Sequence, residues 1–149
     1  EKNLKLLIET FNRLPNLELT IVGFGPMEAQ LKSFAKNNTT FLGAVDNQKL
    51  PSLYQSHDVF VLPSISEPWG MVVEEALNNG LPIITSDRVG CANDLVGEKH
   101  GIIFSLNVSG ALEKAICEIC EHKTYYKFLK NISKLNFKAI GENQVSLYL

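Results

Sequence analysis

Short unbroken apolar runs recur along the chain, at Leu19-Thr20-Ile21-Val22, Phe41-Leu42, Val59-Phe60-Val61-Leu62, Pro82-Ile83-Ile84 and Ile102-Ile103-Phe104. Runs without polar alternation suit strands buried on both faces, which a parallel sheet covered by helices produces. Between them lie segments with apolar residues at helical spacing: Leu4 to Leu14, Met27 to Ala35, Leu50 to Gln55, Met71 to Asn79 and Ala111 to His122. Strand and helix alternate, so the predicted fold class is α/β with a doubly wound parallel sheet. Pro26 and Pro51 suit early helical positions, and Gly80 supplies a left-handed residue after Asn79. After Phe104 the pattern turns helical, with apolar positions from Tyr125 to Leu135 and a break at Gly141. This predicts C-terminal helices packed on the sheet. The chain opens with a helix, whereas a parallel α/β domain usually opens with a strand that becomes central. A missing first strand, and hence a fragment, is the expectation.

A chain of 149 residues, 45% of them hydrophobic, suffices for one compact domain over residues 1–149. The formal charge of -2 is scattered in both signs, without the basic stripe that nucleic acid requires. No apolar run approaches the ~20 residues of a membrane span, and Glu1-Lys2-Asn3 does not resemble a secretory signal, so the chain reads as cytoplasmic. The cysteines, Cys91, Cys117 and Cys120, are odd in number and form no disulfide framework. Cys117 and Cys120, three apart on one helix face, are read as core residues because structural zinc wants four ligands.

In an open α/β sheet, ligands bind beyond the carboxyl ends of the strands. The loops leaving those ends are Gly23 to Pro26, Gly43 to Asp46, Pro63 to Gly70 and Ser86 to Cys91. Gly23 and Gly25 either make a tight turn or let backbone approach a ligand. Pro63 to Gly70 carries an acid, a tryptophan and a glycine into a helix starting near Met71, whose free amides at Gly70, Met71 and Val72 favour an anion such as a diphosphate. Trp69 and Gly70 read equally as a core plug and a turn residue. Glu67 and Glu75 can face one pocket and accept hydrogen bonds from vicinal hydroxyls, while Glu74 is turned about 100° away. Glu75 also reads as an acid stabilising the helix start.

At these residues the chain resembles the retaining glycosyltransferases of family 4, which have the GT-B fold. The matching text is Pro63-Ser64-Ile65-Ser66-Glu67-Pro68-Trp69-Gly70-Met71-Val72-Val73-Glu74-Glu75-Ala76, similar to the family's Glu-x7-Glu signature, followed by Asn79-Gly80-Leu81-Pro82-Ile83-Ile84. Supporting matches are Val22 to Pro26, Phe41-Leu42-Gly43 and Asp58 to Val61, so the resemblance covers most of residues 1 to 105. It implies the C-terminal Rossmann-like domain, one half of a GT-B fold, which holds a nucleoside-diphosphate sugar. A sugar or lipid-linked acceptor is then held by an N-terminal domain absent from this sequence. By position, Glu67 contacts the donor sugar, Glu75 the ribose, the Gly70 to Val72 amides the diphosphate or sugar, and backbone around Gly43 to Val45 the base. Trp69, Gly23 and Gly25 are counted with the donor-binding residues. Lys2 resembles the family's diphosphate-binding lysine and is counted with Glu67 as catalytic; the arginine that accompanies it would precede residue 1. Where many members have Gly-Gly-x-Pro-Glu, this chain has Val89 to Asp94, with Asp94 in place of the glutamate.

The expected function is retaining transfer of a sugar from the donor to an acceptor, in polysaccharide or lipopolysaccharide synthesis of bacterial type. No cofactor or metal is expected, since the chain lacks an Asp-x-Asp motif. The isolated fragment is expected to have little or no activity. The whole enzyme is expected to be cytoplasmic, with peripheral association at the inner face of the membrane. Rival readings are a non-catalytic sugar-nucleotide-binding module and a related GT-B epimerase or phosphorylase.

Overall fold

The computed structural model describes residues 1–135. Its elements alternate as the sequence pattern predicts: α1 (Leu4–Phe11), β1 (Leu19–Val22), α2 (Glu28–Phe34), β2 (Thr39–Gly43), α3 (Leu50–Gln55), β3 (Phe60–Leu62), α4 (Met71–Asn78), β4 (Ile83–Ser86), β5 (Gly101–Phe104), α5 (Ala111–Ile119) and α6 (His122–Ile132). A π-helical turn, Ala92–Val96, lies between β4 and β5 and was not anticipated. The predicted helix over Ala111 to His122 ends earlier, as α5 before Cys120, and the helical pattern from Tyr125 to Leu135 falls largely on α6, which starts at His122. The Gly141 break lies outside the described residues.

Every strand pairing is parallel, but hydrogen bonds group the strands into two sheets, β1-β2 and β3-β4-β5. Each sheet joins strands that are consecutive in sequence, and among the described residues no ladder links the two. One continuous sheet is therefore not observed. A strand's ladder groups point sideways, so continuity needs a backbone at ladder distance on each side.

The adjacent residues Ile83 and Ile84 of β4 show why both faces need cover. Successive strand side chains point to opposite faces, and the two isoleucines enter different cores. Ile84 joins Leu7, Ile8 and Phe11 of α1, Leu19 and Ile21 of β1, Leu31 of α2, Ile116 and Ile119 of α5, and Phe128 of α6. Ile83 joins Val73, Ala76 and Leu77 of α4, Val96 of the π-helical turn, and Ile132. Phe128 and Ile132 carry out the predicted packing of the tail on the sheet. Cys117 and Cys120 are exposed rather than in the core. The buried stripe of α5 is Leu112, Ala115, Ile116 and Ile119, and Cys117, about 100° round the helix from Ile116, falls outside it.

Ile83 and Ile84 are 0% and 1% exposed. Truncation of either to alanine is expected to lower unfolding free energy in urea by about 2–5 kcal/mol. A cost near zero for one of them would show that its face is uncovered.

Candidate functional site

The loop after β3 is shaped by main-chain pairing with the loop after β4. Glu67 forms an isolated parallel bridge with Val89. The Glu67 N–H donates to Arg88 O at 3.1 Å, the Gly90 N–H to Glu67 O at 2.9 Å and the Cys91 N–H to Trp69 O at 3.0 Å. The loops come so close that a Cβ on Gly90 would lie 1.9 Å from the Pro68 carbonyl oxygen. Below the loop, the Ser86 hydroxyl donates to Ser64 O at 2.5 Å. Asp87, next along, accepts from the Ser105 hydroxyl at 2.6 Å and the Leu106 N–H at 3.2 Å. The Ser105 bond, helped by that of Leu106 and by the Arg88 charge, holds the Asp87 carboxyl below its usual range against the opposing effect of burial.

Gly70 ends the clamped loop and caps α4 with φ 98°, and a Cβ there would meet Val89 Cγ1 at 2.9 Å. Both facts demand glycine. No side chain caps α4, so the loop delivers an uncapped helix start whose first amides stay available for an acceptor. Cys91 lies beneath, with burial first and acidic neighbours next pushing its thiol up to about 11. It is a packing residue rather than a thiolate.

Around this helix start the carboxylates take separate partners. Lys2, beside the start of α1, forms an ion pair with Glu67 across 65 positions of sequence. The chain is held there by the main chain as well, Ile65 N–H donating to Glu1 O at 2.9 Å. The Trp69 indole donates to Glu74 at 3.0 Å, and the Tyr54 hydroxyl donates to Glu75 at 3.2 Å. Lys2 and Glu67, expected as catalytic residues, are thus together, with Trp69, Gly70, Met71, Val72 and Glu75 on the adjoining loop and helix. Trp69 is 37% and Met71 71% exposed, so neither is a core plug; Val72 is partly buried against the α4 core.

The other expected residues form a second group at the ends of β1 and β2. Gly23 N–H donates to Gly43 O at 2.7 Å, and both glycines have positive φ, 110° and 67°. Gly25 has neither a positive φ nor any atom within 4 Å of an added Cβ. Its lack of a side chain is demanded by no neighbour. Val45 is half-buried, whereas Phe24 stands 81% exposed. The site is an open rim. Two shallow hollows, about 320 and 260 Å³, lie away from it, beside β5 and α5 around Val108 to Ala111. They are lined by the start of α5 and by Glu113 and Glu118, and they include neither the clamped loop nor the α4 start with Glu67 and Glu75. Asp94 is exposed within the π-helical turn and takes no part in the clamp.

The Glycosyl transferases group 1 family matches residues 1–136. The chain belongs to that family. It is 37% identical over 110 residues to the sulfoquinovosyl transferase SQD2 of Arabidopsis thaliana, covering 70% of this chain and 21% of the plant protein. The sucrose-phosphate synthase of Thermosynechococcus elongatus superposes with a TM-score of 0.79 at 26% identity, over 99% of this chain and 41% of that one. Anabaena HepE in complex with UDP and glucose superposes with a TM-score of 0.76 at 18% identity, over 99% and 44%. The chain thus spans about a fifth of the plant transferase and about two fifths of the solved structures. The Rossmann-like α/β fold is that of GT-B glycosyltransferase domains. No helix among the described residues is long and apolar enough to cross a membrane.

Sequence reasoning missed two residues of this glycosyltransferase domain's rim. Gly90 was legible only as part of a loop, since its close approach to Pro68 is a matter of tertiary contact; Tyr54 looked like an ordinary helical residue. Gly90→Ala is expected to cost about 2 kcal/mol or more of stability, because two backbone segments must part. Gly25→Ala is expected to change stability by less than about 0.5 kcal/mol. Thermal unfolding of the two variants checks the contrast.

Proposed function

We propose that this chain binds the donor of a retaining glycosyltransferase, a nucleoside-diphosphate sugar, on the rim formed by the α4 start and the loops after β1, β2 and β3. The observation that carries the reading is the meeting of Lys2 and Glu67 beside an uncapped helix start. It puts a cation, an acceptor of hydroxyl protons and free amides at one place.

In this reading the donor's anomeric carbon–oxygen bond to the diphosphate breaks, and an acceptor hydroxyl forms its bond to that carbon on the same face, passing its proton to the departing diphosphate. The difficult charge is on the departing diphosphate. Lys2 and the amides of Met71 and Val72 meet it, and such preorganised donors stabilise charge that develops in the transition state. No resident metal is required by this scheme. Glu67 exchanges its pairing with Lys2 for a sugar hydroxyl, which costs little because an exposed ion pair contributes only about 0–1 kcal/mol. Glu75 accepts from the ribose. Gly25, glycine without a structural reason, gives backbone room for the donor, and the loop from Gly43 to Val45 meets the base. The acceptor is a growing polysaccharide or lipopolysaccharide held by a separate domain, and the whole enzyme works at the cytoplasmic face of a membrane. Family membership and relatives that are sugar transferases support the reading.

Calorimetric titration with UDP, GDP and ADP tests it. One nucleotide is expected to bind, and Glu75→Ala to weaken it by about 1.5–3 kcal/mol, as expected for hydrogen bonds to a charged group. A nucleotide bound equally well by the variant would contradict the ribose role.

A further inference from the structure

Glu75 is exposed on α4, and a free glutamate there would sample several rotamers. It is not free. Tyr54, 21 positions earlier on α3, donates its hydroxyl proton to Glu75 Oε2 at 3.2 Å. The ring is fixed independently of that bond. It meets Phe60, the first residue of β3, edge to face with centroids 5.9 Å apart and planes at 65°, and packs against the core beneath α4. Burial first, then the Glu75 charge and the shared hydrogen bond, push the Tyr54 hydroxyl up to about 12. At neutral pH it is a donor, and an ionised carboxylate can only accept. The neighbouring acid is turned elsewhere, Glu74 accepting from the Trp69 indole. Each acid therefore has its own aromatic donor, one from the loop and one from α3.

We propose that Tyr54 is a positioning residue for the donor nucleotide: its hydroxyl holds the Glu75 carboxylate so that the remaining acceptor positions meet the vicinal hydroxyls of the ribose. The inference rests on the ribose role of Glu75 given above. A carboxylate has about four lone-pair positions, and the phenol takes one. A diol that finds the carboxylate already oriented loses less side-chain entropy on binding.

The test is calorimetry on wild type, Tyr54→Phe, Glu75→Ala and the double variant, using whichever of UDP, GDP and ADP binds and its 2′,3′-dideoxy analogue. Tyr54→Phe keeps the ring and removes only the donor. It is expected to weaken the parent nucleotide about fivefold, the loss of one hydrogen bond, to leave the dideoxy analogue unchanged, and to add nothing once Glu75 is alanine. Equal weakening of both ligands would reduce Tyr54 to a packing role and overturn the inference. So would a Tyr54→Phe variant that binds like wild type while Glu75→Ala binds weakly, and in either case the ribose role of Glu75 stands. If Glu75→Ala binds like wild type, or no nucleotide binds at millimolar concentration, the donor reading fails and the inference with it.

Discussion

Main-chain pairing between the loop after β3 and the loop after β4 organises everything else at the rim. Three amides, those of Glu67, Gly90 and Cys91, cross between the loops, and together they fix the path from Glu67 to Gly70. Because Gly70 follows directly, the same pairing sets where α4 begins and which way its free amides point. Gly90 permits the approach and Gly70 the turn: a Cβ on Gly90 would strike the Pro68 backbone, and one on Gly70 would be strained by the positive φ and press on the Val89 side chain. The side-chain contacts with Lys2, Trp69 and Tyr54 are added to this frame. Individually such exposed contacts contribute little, about 0–1 kcal/mol for an ion pair, so they orient groups without holding the fold.

The fold was legible because its signal is local. Unbroken apolar runs mark each of the five strands among the described residues, and helical spacing marks the helices between them within a few residues. What escaped had non-local causes. The π-helical turn, Ala92–Val96, buries Ala92 and Val96 against α4's core, and a five-residue segment has too few turns to show a period. Cys117 lies on α5 and Cys120 just past its end, both exposed; spacing does not say which face of a helix is buried or where the helix stops. The grouping of strands into two sheets depends on what lies at ladder distance, which no run of residues encodes.

Legibility at the rim followed the same division. Glu67, Gly70 and Glu75 stand in one continuous stretch and could be read together, whereas the partners that orient the acids come from positions 2 and 54, far off in sequence. Gly23 and Gly43 owe their identity to positive φ, which leaves their contact with a ligand an independent question. Gly25 has no such excuse in the backbone, and that makes it the more informative of the glycines. The open shape also has a consequence: a rim that buries little of a ligand relies on charge and hydrogen bonds for affinity, and its binding should weaken as salt rises.

In the proposed donor site the uncapped start of α4 receives the donor's diphosphate. The most direct measurement is amide chemical-shift mapping of the isotopically labelled chain during titration with a nucleoside diphosphate. The largest shifts are expected at Gly70, Met71 and Val72, with smaller ones at Gly23 to Gly25 and Gly43 to Val45. Shifts confined to the opposite edge, at Pro15-Asn16 or Asn37-Asn38, or to the hollows around Val108 to Ala111, would contradict that placement.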